Sequence, residues 1–175
     1  MRFKIDEAIE VLSATPSVLR GLLGRVSEPW VRNNYGEKTF SPFDVVGHLI
    51  HGERTDWIPR GRIILEHGEA RAFDPFDRYA MYEESEGKSI SELLDTFERL
   101  REANIEALRG MKLSDARLDG TGTHPRLGRV TMRELLAMWV VHDLSHVHQI
   151  AKSMAHQYAD QIGPWRPWVT FLPSE

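Results

Sequence analysis

The chain contains no cysteine. That absence removes disulfides, thiolate metal ligands and cysteine nucleophiles together, so any metal must be held by histidine, carboxylate or backbone oxygen. Long apolar runs are missing as well, and no stretch reaches the roughly 20 residues that a membrane span needs. The first dozen residues interleave Arg2, Lys4, Asp6, Glu7 and Glu10 with apolar ones, which is not the layout of a secretory signal. Concentrated basic charge is also lacking: the net charge is −4 and the lysines and arginines are scattered. A surface of that kind offers no footprint for nucleic acid or for anionic lipid. These absences imply a cytoplasmic protein with neither nucleic acid nor membrane as partner.

What is present is an ordinary globular composition, 41% apolar and 27% charged over 175 residues. A chain of that length fits one hydrophobic core, so residues 1–175 are expected to form a single domain. Ile5, Ala8, Ile9, Leu12, Leu19, Leu22 and Leu23 follow the helical period, with Pro16 disturbing the middle and leaving open whether the helix runs through. Residues 24–40 carry loop punctuation. Ser41-Pro42-Phe43-Asp44 then supplies an N-cap, a proline for the first turn and an acid for a reciprocal cap. The second helix is expected from Pro42 to His67, bent at Pro59 and Gly61.

Residues 68–88, with two glycines, Pro75 and Glu83, Glu84 and Glu86, read as a surface connection. A third helix follows Ser89, with Ile90, Leu93, Leu94, Phe97, Leu100, Ile105 and Leu108 on one side and Gly110 at its close. The stretch 112–130 has too much glycine and proline for a helix and reads as a long loop or small hairpin. Thr131-Met132-Arg133-Glu134 is a capping box that opens a fourth helix, expected to reach Tyr158. Beyond Gly163-Pro164 come Trp165, Trp168 and Phe171, which should pack back on the body or on a second subunit. Four long amphipathic segments without strand alternation predict an all-α four-helix bundle, and its long inter-helix loops leave room for crossovers.

Chemistry concentrates in the histidines. On the fourth helix His142 and His146 lie one turn apart, on the face defined by Met132, Leu135, Leu136, Trp139, Val147, Ile150 and Met154. That pair alone is weak evidence, because bundles also bury hydrogen-bonded histidines. His48 alters the balance, since it lies in an apolar stretch of another helix and supplies a third interior imidazole. Three neutral imidazoles compete for donors unless a cation sits between them, and a divalent ion satisfies all three. His51, one turn beyond His48, is the rival third ligand. Asp143 also points inward. His67, His124, His148 and His156 read as surface, loop or supporting residues.

The segment Ser41-Pro42-Phe43-Asp44-Val45-Val46-Gly47-His48-Leu49, with Glu53 after it, resembles the DinB-like superfamily of metal-binding four-helix bundles. So does Gly128-Arg129-Val130-Thr131 leading to Val141-His142-Asp143-Leu144-Ser145-His146, with Gln149-Ile150-Ala151. The resemblance implies a metal on His48, His142 and His146, a homodimer, and kinship with thiol-dependent transferases and a mycothiol-dependent maleylpyruvate isomerase. Zinc and nickel head the expected ions, although manganese and iron also accept imidazole. The leading expectation is an enzyme that activates a low-molecular-weight thiol for transfer to an electrophile. Asp143, Gln149 and Glu53 are candidates to orient imidazoles, and no protein general base is assigned. A non-catalytic binding or stress-response protein with a structural metal, in which His51 or Asp143 supplies a fourth ligand, is the alternative. A metal-dependent hydrolase is a third reading, and a metal-free bundle is the plainest.

Overall fold

The computed structural model describes residues 2–170. Helix α1 spans Ile5–Leu23 without a break, although Pro16 lies inside it. Proline there removes the donor that would bond the carbonyl of Leu12, and that carbonyl instead accepts from Arg101 Nη1 at 2.8 Å. A short helix α2, Glu28–Arg32, follows.

The expected second helix exists as two pieces, α3 over Pro42–Thr55 and α4 over Trp57–His67. The bend falls at Asp56, the residue between the two helices, whose φ of −102° and ψ of −79° depart from regular helix values, and not at Pro59 or Gly61. Pro59 still accounts for it. Its ring crowds the preceding turn, so the chain breaks upstream and Pro59 occupies the first turn of α4, where its missing N–H costs nothing. The Ser41 cap forms as a reciprocal box with Asp44.

Residues 68–88 are more than a surface connection. They contain a 3-10 turn at Gly68–Ala70 and a helix α5 at Ala80–Ser85, and they bury Phe73 and Met81. Gly47 lets α5 lie directly on α3, since a Cβ there would stand 2.5 Å from Ser85 Oγ. Helix α6, Ile90–Gly110, opens on the Ser89–Glu92 capping box. After the short helix α7, Asp115–Leu118, the glycine-rich stretch resolves as a hairpin of β1, Thr121–His124, and β2, Gly128–Thr131. Helix α8 begins at the Thr131–Glu134 box and spans Met132–His156, two residues short of the expected end at Tyr158.

Helix α1 packs on α6 and α8, and α3 packs on the same two. Consecutive long helices α1 and α3, like α6 and α8, therefore sit on diagonals of the bundle, so the connections cross over its ends. This is a four-helix bundle with an added hairpin, and no described helix is long and apolar enough to cross a membrane. In the tail, Trp165 and Trp168 are 62% and 79% exposed, so the chain's own body does not cover them as expected. Phe171 lies outside the described residues.

The core is in two parts. One gathers Leu12, Trp57, Ile105, Leu136 and Trp139, the other Leu19, Leu49, Leu94, Phe97 and Ile150. On every helix the polar residues of interest fall between these groups: Glu53 on α3, Arg101 on α6, and His142, Asp143 and His146 on α8.

Candidate metal centre

His48 comes from the middle of α3, where the cap at Ser41 and the close packing permitted by Gly47 set the helix position. His142 and His146 come from successive turns of α8. The structure brings all three together: His48 Nε2 lies 3.3 Å from His142 Nε2, and His146 Nε2 lies 3.1 Å from the same atom. Nitrogens bound at about 2.0–2.1 Å to one tetrahedral ion are separated by about 3.3 Å, so the observed spacing fits a shared cation. His48 is buried, whereas His142 and His146 are half-buried, leaving one side of the cluster toward solvent.

The orientation of His146 is fixed by Gln149, whose Oε1 lies 2.8 Å from His146 Nδ1. An amide oxygen only accepts, so Nδ1 carries the hydrogen and Nε2 presents a lone pair to its neighbours. Burial drives the His48 imidazole down to about 3 and the His142 imidazole to about 2, with the neighbouring histidines adding to the effect. Burial also lowers His146, partly offset by the Gln149 bond. Three neutral rings with lone pairs in one small volume are a donor set for a transition metal ion. Nδ1 of His48 and of His142 has no hydrogen-bond partner among the described residues. Aromatic rings surround the cluster: Trp57 stands edge-on to His142 at 5.0 Å, and Phe76 edge-on to His48 at 5.4 Å.

His51 does not join the site. Its Nδ1 lies 2.8 Å from Glu84 Oε1, and Arg54 holds the other oxygen of that carboxylate at 2.5 Å. Asp143 is inward, as its helical angle requires, but it faces Arg101, with Oδ2 at 2.5 Å from Nη1 and Oδ1 at 3.0 Å from Nη2. Neither residue supplies a fourth ligand. Glu53 also turns away from the imidazoles and is neither a cap nor a surface pair. It accepts from Arg101 Nη2 at 2.8 Å, Trp139 Nε1 at 3.1 Å and Asn104 Nδ2 at 3.0 Å.

Arg101 is the residue that reading the sequence missed. It is 1% exposed and joins both buried carboxylates. Burial opposes its charge, but Glu53 and Asp143 outweigh that and raise its pKa above the ordinary arginine value. A signal existed, since Arg101 falls in the apolar row of Leu94, Phe97, Ile105 and Leu108.

Residues 12–150 match the DinB superfamily pattern, a segment that contains all three clustered histidines. The chain belongs to the DinB superfamily. Among solved structures, this DinB protein is similar to YfiT from Bacillus subtilis, with 22% identity, a TM-score of 0.76 and 87% of each chain covered. YfiT is described as "a probable metal-dependent hydrolase with an unusual four-helix bundle topology". A second similar structure is TT2238, a four-helix bundle protein, at 20% identity and a TM-score of 0.58, covering 86% of this chain and 100% of that one. At these identities the likeness speaks for the fold. No curated protein matches the chain.

Proposed function

We propose that this DinB protein is a metal-dependent enzyme that binds one divalent transition metal ion on His48, His142 and His146 and uses it to activate a low-molecular-weight thiol for transfer to a small electrophile. The observation that carries the reading is the convergence of three Nε2 atoms on a half-exposed site while His51 and Asp143 are engaged elsewhere. Three protein ligands leave a coordination position for a ligand from solution, which is the mark of a catalytic site, whereas closed structural sites use four. When bound, the ion supplies Lewis acidity that lowers the pKa of a thiol or water beside it.

The chain's own residues do the rest. Gln149 holds the tautomer of His146, Trp57 and Phe76 exclude water from two sides, and the Glu53–Arg101–Asp143 layer fixes the spacing of α3 and α8. In the transfer, sulfur forms a bond to the electrophilic carbon and the thiol proton passes to solvent. In a displacement the leaving group departs with its bonding electron pair; in an addition the π bond at that carbon breaks and the anion left behind takes a proton from solvent.

Hydrolysis is the second reading, and the description of YfiT favours it. Here water takes the place of the thiol. Assays with a panel of electrophiles, each with and without small thiols, separate the two: thiol consumption coupled to product supports transfer, while product formed without thiol supports hydrolysis. Metal analysis after purification without chelators tests the reading beneath both, and His146→Ala should lower the bound metal. The same reading includes a homodimer, supported by exposed Trp165 and Trp168 and by exposed Met138, Val141 and Leu144 on α8. Sedimentation of the full chain tests it.

A further inference from the structure

Arg78 lies on the connection between α4 and α5, exposed to solvent. Its guanidinium carbon is 5.1 Å from the centre of the Phe40 ring and 5.6 Å from that of Tyr79. The Phe40 ring in turn lies 5.9 Å from the imidazole of His48. Phe76, two residues earlier, touches His48 from another side. The segment 76–79 is thereby folded against the His48 side of the histidine cluster, and it carries a cation there.

That cation has no acidic partner among the described residues. Asp77, the adjacent acid, accepts from the backbone N–H of Tyr79 at 2.9 Å. Glu84 serves His51 and Arg54, while Glu53 and Asp143 serve Arg101. A divalent ion on three neutral imidazoles places a second positive centre on the same side of the fold. Two cations facing one volume repel unless an anion stands between them. Phe40 and Tyr79 flank the guanidinium, and its N–H groups have no acceptor among the described residues, which leaves them for a carboxylate.

We propose that Arg78 binds a carboxylate on the small-molecule ligand of this site, so that the substrate class is an anionic one, carrying a carboxylate beside the group that meets the metal. The inference rests on the metal-site reading above and adds to it the charge of the substrate. A thiol or an electrophile bearing a carboxylate satisfies it. A neutral molecule does not.

The test is a binding measurement on the full chain loaded with Co2+, in the wild type, Arg78→Ala and Arg78→Lys. Each is titrated with thioglycolate, which carries a carboxylate, and with neutral 2-mercaptoethanol, following the cobalt absorption spectrum. Arg78→Ala should weaken thioglycolate by about tenfold, the scale of one lost charge-assisted contact, and leave 2-mercaptoethanol unchanged. Arg78→Lys should recover part of the loss, because it keeps the charge without the fork. Cobalt content should be equal in all three, and circular dichroism checks the fold. The inference is overturned if Arg78→Ala weakens both thiols alike, or neither. A wild type that takes up no cobalt overturns the metal-site reading as well, whereas one that takes up cobalt but whose spectrum responds to neither thiol overturns the inference and the thiol reading and leaves the metal site standing; the metal count on the same samples tells these failures apart.

Discussion

Arg101 donates from Nη1 to the carbonyl oxygen of Leu12 at 2.8 Å, the very carbonyl that Pro16 leaves without its helical donor. One guanidinium thus mends a defect in α1 and joins Glu53 on α3 to Asp143 on α8. Arg101→Leu is expected to cost about 3–5 kcal/mol, because it leaves two buried carboxylates without compensation. Arg101→Lys should recover little of that, since a single ammonium cannot reproduce the fork. Urea unfolding of the metal-free protein measures both. A loss below about 1 kcal/mol for Arg101→Leu would show that the layer is dispensable.

The tie between Gln149 and His146 predicts a purely local effect on metal affinity. Gln149→Leu keeps the helix and the volume but removes the acceptor that fixes the imidazole tautomer. Loss of such a supporting bond typically weakens metal binding about 10- to 100-fold. Competition with a chromogenic chelator reads the change. Unaltered affinity would mean that the tautomer is set by something else.

Much of this site was legible before any coordinates, for reasons that are local. His142 and His146 are separated by one turn, and the capping boxes at Ser41 and Thr131 fix the register of both helices, so spacing along the chain translated directly into spacing in space. The inward angle of Asp143 was likewise a property of one helix, but its partner was not. Arg101 is forty-two residues away on α6, and no period within a helix reveals which carboxylate a buried arginine will meet. The placement of Phe76 and Arg78 was hidden for the same reason. Their segment is anchored by the backbone bond from Phe73 N to Thr123 O at 2.9 Å, a pairing with the distant hairpin. Pro59 illustrates an intermediate case: a bend was readable, but its position at Asp56 depended on which turn yielded first.

His51 offers a clean separation of ligand from neighbour. Its ring is bonded to Glu84, so His51→Asn is expected to retain the full complement of metal, whereas His48→Asn is expected to lose most of it. Metal analysis after dialysis against metal-free buffer gives the comparison. Equal losses in the two variants would return His51 to the ligand set.

Proton binding supplies the last prediction. An ordinary histidine titrates at about 6.5, and burial brings His48 down to about 3 and His142 to about 2 in the folded protein, with His146 lowered as well. Between those values the unfolded chain binds protons that the folded chain refuses, so the stability of the metal-free protein must rise with pH across that window. Read downward, stability is intact above about pH 6.5, begins to fall as pH drops through that value, and keeps falling as long as the folded rings stay neutral. Urea midpoints at about pH 7.5, 6 and 5 sample the window before most carboxylates titrate. His142→Leu should flatten the slope, because it removes one ring that the unfolded chain protonates in this window and the folded chain does not. A saturating divalent ion should raise the midpoints while leaving the slope from His48 and His142 unchanged, because those folded rings are already free of protons across the window and offer the cation their lone pairs at every pH tested. Midpoints that do not move between about pH 7.5 and 5 would show that the three rings are solvated in solution, and the compact cluster would not describe the metal-free protein.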